Sequence, residues 1–278
     1  LYQVDGEAVT GKDLDLVVKE NIRGEEGTYV DITVLRGENA EETPLHVERR
    51  SIEVPTVEYQ MLENQVGYIY VTQFDEVTAK QFEDAIDDLE DQGMEKLVID
   101  LRNNPGGVLD TAVEMLAYVL PEDKLDGMLV YTADKNGEGD RYFCKDGKIQ
   151  RESDDGSRDS RYPKEDDHEL DVPLAVLING NSASASEVFT GAVMDYDAGI
   201  VVGTTTFGKG IVQNLIPLGD GTAIKLTTAH YYTPNGFDLH GKGLEPDVVV
   251  EMDEELQKKA VVELSEDNQL QAAIEAMN

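Results

Sequence analysis

Between Asn179 and Phe189 the chain reads NGNSASASEVF, with Ser182, Ser184 and Ser186 alternating with Ala183 and Ala185. The stretch follows the apolar run PLAVLI and opens a helical pattern. A hydroxyl there stands at a helix N-terminus, where free backbone N–H groups stabilise developing negative charge. Ser184 with Glu187 also makes the S-x-x-E pattern of a capping box, so the segment alone fits a helix cap as well as a nucleophile. A serine attacks poorly without an adjacent base. The bases on offer are His230 in a strand pattern, His240 in the loop FDLHGKG, and Lys209 between Gly208 and Gly210 in TTFGKGIVQ. A lysine acts as a base only when neutral, which burial favours. Phe207, Ile211 and Val212 are expected to provide apolar cover, and Gln213 to orient the amine without adding charge. A third stretch, DLRNNPGGVL at 100–109, lies at a strand-to-helix junction. Pro105 fixes φ there, while Gly106 and Gly107 permit backbone shapes closed to other residues, suiting a tight turn or an N–H aimed at an oxyanion. It is not a phosphate loop, because the G-x-x-x-x-G-K-[ST] order is absent.

Such residues need elements to hold them. The first fifty residues read as a small α+β unit: a hairpin through Asp5-Gly6, a helix with Thr10 and Asp13 as its cap, and two alternating strands. Leu14, Val17, Val18 and Ile22 are expected to share that helix's buried face. The pattern breaks near Ser51–Pro55, which predicts units at 1–52 and 53–278. From Val57 onward strands alternate with helices, and near-continuous apolar strands such as EKLVIDL and PLAVLI predict a layered α/β core. Residues 132–170 form a charged, glycine-rich excursion, expected to hold short strands and a mobile acidic loop. A hairpin through Asp220-Gly221 and a short C-terminal helix close the chain.

The 278 residues carry a formal net charge of −35 and a pI near 4.2. Such acidity excludes a basic face for nucleic acid and docking on an anionic membrane. Cys144 is the single cysteine, so neither an intramolecular disulfide nor a thiolate metal cluster is expected. His46, His168, His230 and His240 lack metal-ligand spacing. No apolar run approaches the ~20 residues of a membrane span. The chain opens at Leu1, within a strand pattern, and reads as a fragment of a longer polypeptide.

Taken together, VIDLRNNPGG (98–107), NGNSASASEVFTGAVMD (179–195), VVGTTTFGKGIVQ (201–213) and AHYYTPNGFDLHGKGLEPDV (229–248) resemble the C-terminal processing peptidases, or tail-specific proteases. The resemblance spans roughly Val57 to Asn278. The first fifty residues resemble the later part of the PDZ domain that these enzymes carry. Because the carboxylate-binding loop of that domain lies before Leu1, this unit is not expected to capture peptide. The resemblance implies a crotonase/ClpP-like layered core, with Ser184 as nucleophile, Lys209 as general base and Gln213 hydrogen-bonded to the lysine. It implies oxyanion donors at the backbone of Ala185 and of Gly106 or Gly107, and neither metal nor cofactor. The implied activity is a serine endopeptidase acting through an acyl-enzyme near accessible C-termini of protein or peptide substrates. Its implied address is extracytoplasmic, in a bacterial periplasm or at the cell surface, with a preceding segment to anchor it. Assembly into an oligomer is compatible with the resemblance. Two rivals remain at this level: a catalytically silent peptide-binding adaptor on the same fold, and a Ser-His hydrolase using His230 or His240.

Overall fold

Asp5 and Gly6 both take positive φ, 48° and 80°, the turn geometry that matches the twist of a tight hairpin. They join β1 (Gln3–Val4) to β2 (Glu7–Ala8) in a computed structural model that describes residues 1–37, 39–51, 54–121, 127–145, 148–163, 170–219, 221–259 and 261–278. The chain divides into two units, Leu1–Val54 and Pro55–Asn278. In the first, α1 (Leu14–Val17) is capped by Asp13, whose carboxylate accepts the Leu16 N–H at 3.1 Å; the expected cap at Thr10 is not used. The helix runs on as a π-helical turn, Val18–Ile22. Val17 is buried and Val18 and Ile22 are half-buried, whereas Leu14, in the first turn, is 61% exposed and does not share their face. With β3 (Tyr29–Arg36) and β4 (Glu41–Glu48) the strands form an antiparallel sheet in the order β2-β1-β3-β4 around Val4, Val9, Val17 and Val30.

The second unit begins with β5 (Val57–Met61), β6 (Val66–Val71), α2 (Thr78–Asp91), β7 (Lys96–Asp100) and α3 (Leu109–Val119). There follow β8 (Met128–Ala133), β9 (Asp140–Lys145), β10 (Lys148–Ser153) and β11 (Arg158–Pro163). Next come β12 (Leu174–Ile178), α4 (Ala185–Asp195), β13 (Ile200–Gly203), β14 (Ile211–Pro217) and β15 (Ala223–Tyr232). β16 (Val248–Val249), α5 (Glu254–Gln257) and α6 (Asn268–Ala276) complete it. One sheet has the order β16-β13-β12-β7-β6-β5 and is parallel except for β5. Its central strands are buried on both faces, which explains their continuous apolar runs. α6 packs Leu270 and Ala273 on one face; α2, α3 and α4 cover the other with Phe82, Leu116 and Phe189. A second, antiparallel sheet, β11-β10-β9-β8-β15-β14, adds Leu129, Tyr142 and Ile149 to that core. The excursion at 132–170 thus supplies three sheet strands, while residues 164–169, including His168, lie outside the described ones. Among the described residues no helix is long and apolar enough to cross a membrane.

β7 and β12 are adjacent and parallel, so the loops leaving their carboxyl ends, 101–108 and 179–184, emerge side by side. A buried ion cluster anchors the first of these loops. Arg102 pairs with Asp100 at 2.5 Å and with Asp267 at 2.7 Å, and donates to Gln269 Oε1 at 2.9 Å. The Asp267 carboxylate also caps α6 through the Gln269 and Leu270 N–H groups, both at 3.0 Å. Burial opposes the guanidinium charge, but hydrogen bonds to Asp100 and Asp267 hold its pKa above the ordinary arginine value. Burial and the Asp100 carboxylate likewise push the Tyr68 hydroxyl up, keeping it a donor to Asp100 at 2.7 Å. Arg102→Ala would leave two buried carboxylates without their cation. Urea unfolding of this variant is expected to show a loss of about 3–5 kcal/mol; a loss below about 1 kcal/mol would mean that water replaces the guanidinium.

Candidate active site

The three serines are not equivalent. Ser182 and Ser186 are fully buried, and their hydroxyls donate to the Leu101 and Asn104 carbonyls at 2.8 and 3.0 Å. Both therefore staple the serine turn onto the glycine loop. Ser184 is half-buried at the N-cap of α4, in capping-box relation with Glu187, and its hydroxyl hydrogen has no acceptor among the described residues. Its backbone sits at φ 57°, ψ −114°, a region costly for a residue with a Cβ and typical of strained functional turns.

The glycine loop touches this turn directly. A Cβ on Gly106 would lie 2.5 Å from the Ala183 oxygen and 2.8 Å from the Ala185 nitrogen. At Gly107, where φ is +150°, it would lie 1.9 Å from the Phe74 oxygen. Only glycine allows the loop this close. The buried Asn104 holds its shape: the side-chain oxygen accepts the Gly106 N–H at 2.9 Å, the side-chain amide donates to the Val71 carbonyl at 2.8 Å, and the backbone oxygen accepts the Ala183 N–H at 3.0 Å. The Gly106 N–H is thereby engaged. The N–H groups of Gly107 and of Ala185, the first residue of α4, have no acceptor among the described residues.

Lys209 reaches the same corner through Glu187. This glutamate is fully buried, and one carboxylate oxygen, Oε2, accepts both the Ser184 N–H at 2.9 Å and the Lys209 N–H at 2.8 Å. Its other oxygen accepts the Thr206 hydroxyl at 2.6 Å and the Gly208 N–H at 2.7 Å. The strap 204–210 is held further by the Phe207 N–H on the Ser182 carbonyl and by mutual bonds between Thr206 and Leu244. One carboxylate thus links the main chains of Ser184 and Lys209. The helix N-terminus favours a negative group at this position.

The lysine's surroundings differ from the expected apolar cover at one residue, and two expected side-chain contacts are not made in this structure. Phe207 is 65% exposed and does not shelter the amine, whereas Ile211 and Val212 are half-buried. Gln213 is exposed on β14, and its amide donates to Thr227 Oγ1 at 3.3 Å across the hairpin rather than to Lys209. The physical cause is a bulge between Val212 and Gln213, which shifts the strand's alternation. Among the described residues no hydrogen bond joins the Lys209 amine to the Ser184 hydroxyl, so the pair is close in backbone but not engaged. His230 and His240 pack in a T-shaped pair, with ring centres 4.9 Å apart, and His230 faces Asp238 at 3.3 Å; among the described residues neither is hydrogen-bonded to a serine. Sequence reasoning had placed Glu187 only as a cap partner and had overlooked Asn104 and Thr206. For Asn104 the signal was its place before PGG; for Thr206 the sequence held none.

The family model for peptidase family S41 matches residues 65–250. A "Probable CtpA-like serine protease" of Staphylococcus aureus is 39% identical over 251 residues, which is 90% of this chain and 46% of that protein. Its namesake in Staphylococcus haemolyticus is 39% identical over 248 residues, 89% of this chain and 45% of that protein. The chain therefore spans about half the length of the curated relatives it matches. Among solved structures, a photosystem II D1 C-terminal processing protease superposes with a TM-score of 0.56 at 30% identity, over 90% of this chain and 62% of that one.

Proposed function

The chain belongs to peptidase family S41, and from that premise we propose that it forms the catalytic part of a Ser/Lys endopeptidase. Lys209 in its neutral form takes the proton of Ser184, and Oγ of Ser184 attacks the scissile carbonyl carbon. The oxyanion is received by the N–H of Ala185 and of the NPGG loop, where Gly107 is the free donor and Gly106 is committed to Asn104. Collapse of the tetrahedral intermediate expels the amine, which leaves with the proton held by Lys209. Water then hydrolyses the acyl-serine, again with Lys209 as base. The substrates are polypeptides with accessible C-termini, cleaved near those ends outside the cytoplasm. Leu1–Val54 is read as the later part of a PDZ domain.

The observation that carries the reading is the Glu187 carboxylate oxygen shared by the main chains of Ser184 and Lys209. On this reading the Lys209 amine turns toward Ser184 Oγ, whose hydrogen has no acceptor among the described residues, and apo catalytic pairs are often loose in this way. Engagement of Gln213 with the lysine would require the outer hairpin to shift, and is proposed for the substrate-bound state alone. The histidine alternative is tested by a His230→Ala/His240→Ala variant assayed on gels with unfolded casein. Cleavage within a few-fold of wild type is the expected result. Loss of cleavage with an unchanged melting profile would transfer the base to a histidine.

A further inference from the structure

The β14–β15 hairpin stands out by what it lacks. Across the chain 58 of 278 residues are acidic, yet from Ile211 to Tyr232 only Asp220 is, balanced by Lys225. From Gln213 to Pro217 and from Ala223 to Thr228 every residue is exposed, so this part of the hairpin is covered on neither face. The register pairs Ile216 with Ile224 and Asn214 with Leu226, which sets Ile216, Ile224 and Leu226 on one face. They are 44%, 49% and 49% exposed. Leu215, on the opposite face, is 69% exposed.

β14 is also an edge of its sheet, and its outer side has no partner strand among the described residues. Proteins usually guard such edges with charge, proline or bulges. The sheet's other edge, β11, carries the exposed charged residues Arg158 and Asp159. β14 carries no charged residue; its one proline ends the strand and its bulge lies at the inner end, leaving 213–216 open. The strand begins two residues after Lys209, separated from it by Gly210. Seven residues of strand reach roughly 23 Å from the catalytic corner.

We propose that the outer edge of β14 is a docking strand for an extended, non-acidic stretch of the polypeptide substrate, added by backbone pairing and gripped by Leu215 and Ile216. Backbone pairing gives affinity for varied sequences, and the aliphatic faces select apolar residues. In a strongly acidic chain, the near-absence of carboxylates on the hairpin leaves a docked polypeptide little local negative charge to meet. The inference rests on the peptidase reading for its placement beside Ser184, and its test separates the two.

The test uses Ser184→Ala protein and a fluorescein-labelled peptide of alternating valine and lysine, long enough to span the seven residues of β14. Fluorescence anisotropy is expected to show binding that weakens at least tenfold on Leu215→Glu/Ile216→Glu. A matched peptide with proline at alternate positions, which lacks the N–H groups for pairing, is expected to bind at least tenfold more weakly. Equal affinity for the two peptides, or affinity unchanged in the double-glutamate variant, overturns the proposal. So does a dimer that the substitutions dissolve while peptide affinity stays constant, because the edge would then serve a second copy of the chain. If the peptide binds as expected but the unsubstituted Ser184 protein cleaves no unfolded polypeptide, strand addition stands and the peptidase reading falls.

Discussion

Lys209→Ala is expected to lower kcat on an unfolded protein by about a hundred- to ten-thousand-fold, the usual contribution of a positioned general base. KM should change little, because the amine enters only when the Ser184 proton moves. The fold should survive, since the tie of Lys209 to the core is its backbone N–H on Glu187, which alanine keeps. The amine itself forms no hydrogen bond among the described residues. Lys209→Arg is expected to fail as completely as alanine, because a guanidinium stays protonated and cannot accept a proton. A Lys209→Ala enzyme with wild-type kcat and an unchanged melting point would place the base elsewhere.

Glu187→Ala is expected to affect turnover and stability together. Four donors converge on this buried carboxylate: three backbone N–H groups and the Thr206 hydroxyl. Each buried donor left without an acceptor costs about 1–3 kcal/mol, so the loss on urea unfolding should be several kcal/mol unless water enters. The catalytic loss has a separate origin, since the backbones of Ser184 and Lys209 no longer share an anchor. Glu187→Gln separates the two effects. Its carbonyl oxygen can still serve Thr206 and Gly208, but its NH₂ group then faces the N–H groups of Ser184 and Lys209. We expect this variant to fold with a smaller stability loss and to lose about a hundredfold or more in kcat, on the scale of other misplaced catalytic groups. Full activity in Glu187→Gln would reduce the carboxylate to a structural cap.

The contrast between these two residues shows what could be read in the sequence. The helix start at Ser184 and the cap at Glu187 were legible because they are local, three residues apart. The Glu187 bonds to Thr206, Gly208 and Lys209 were not, because they join residues 19 to 22 positions apart through a folded strap. The stapling of Ser182 and Ser186 to the glycine loop spans 81 and 82 positions and depends on β7 lying beside β12. That stapling separates Ser184 from its neighbours on geometric grounds, a distinction that spacing alone left open. The α/β alternation was readable from the apolar strands. The pairing of β8 with β15 was not, since it brings the charged excursion and a hairpin a hundred residues later into one sheet. The exposure of Phe207 and the pairing of Gln213 with Thr227 depend on the strap and on the bulge after Val212, which no local sequence signal announces.

The central claim is that Ser184, and neither Ser182 nor Ser186, attacks the substrate. A serine-directed fluorophosphonate forms a covalent adduct with an activated hydroxyl, and peptide mapping by mass spectrometry locates it. One adduct per chain is expected, on Ser184, absent in Ser184→Ala and strongly slowed in Lys209→Ala. An adduct on Ser182 or Ser186, or casein cleavage that persists in Ser184→Ala, would contradict it.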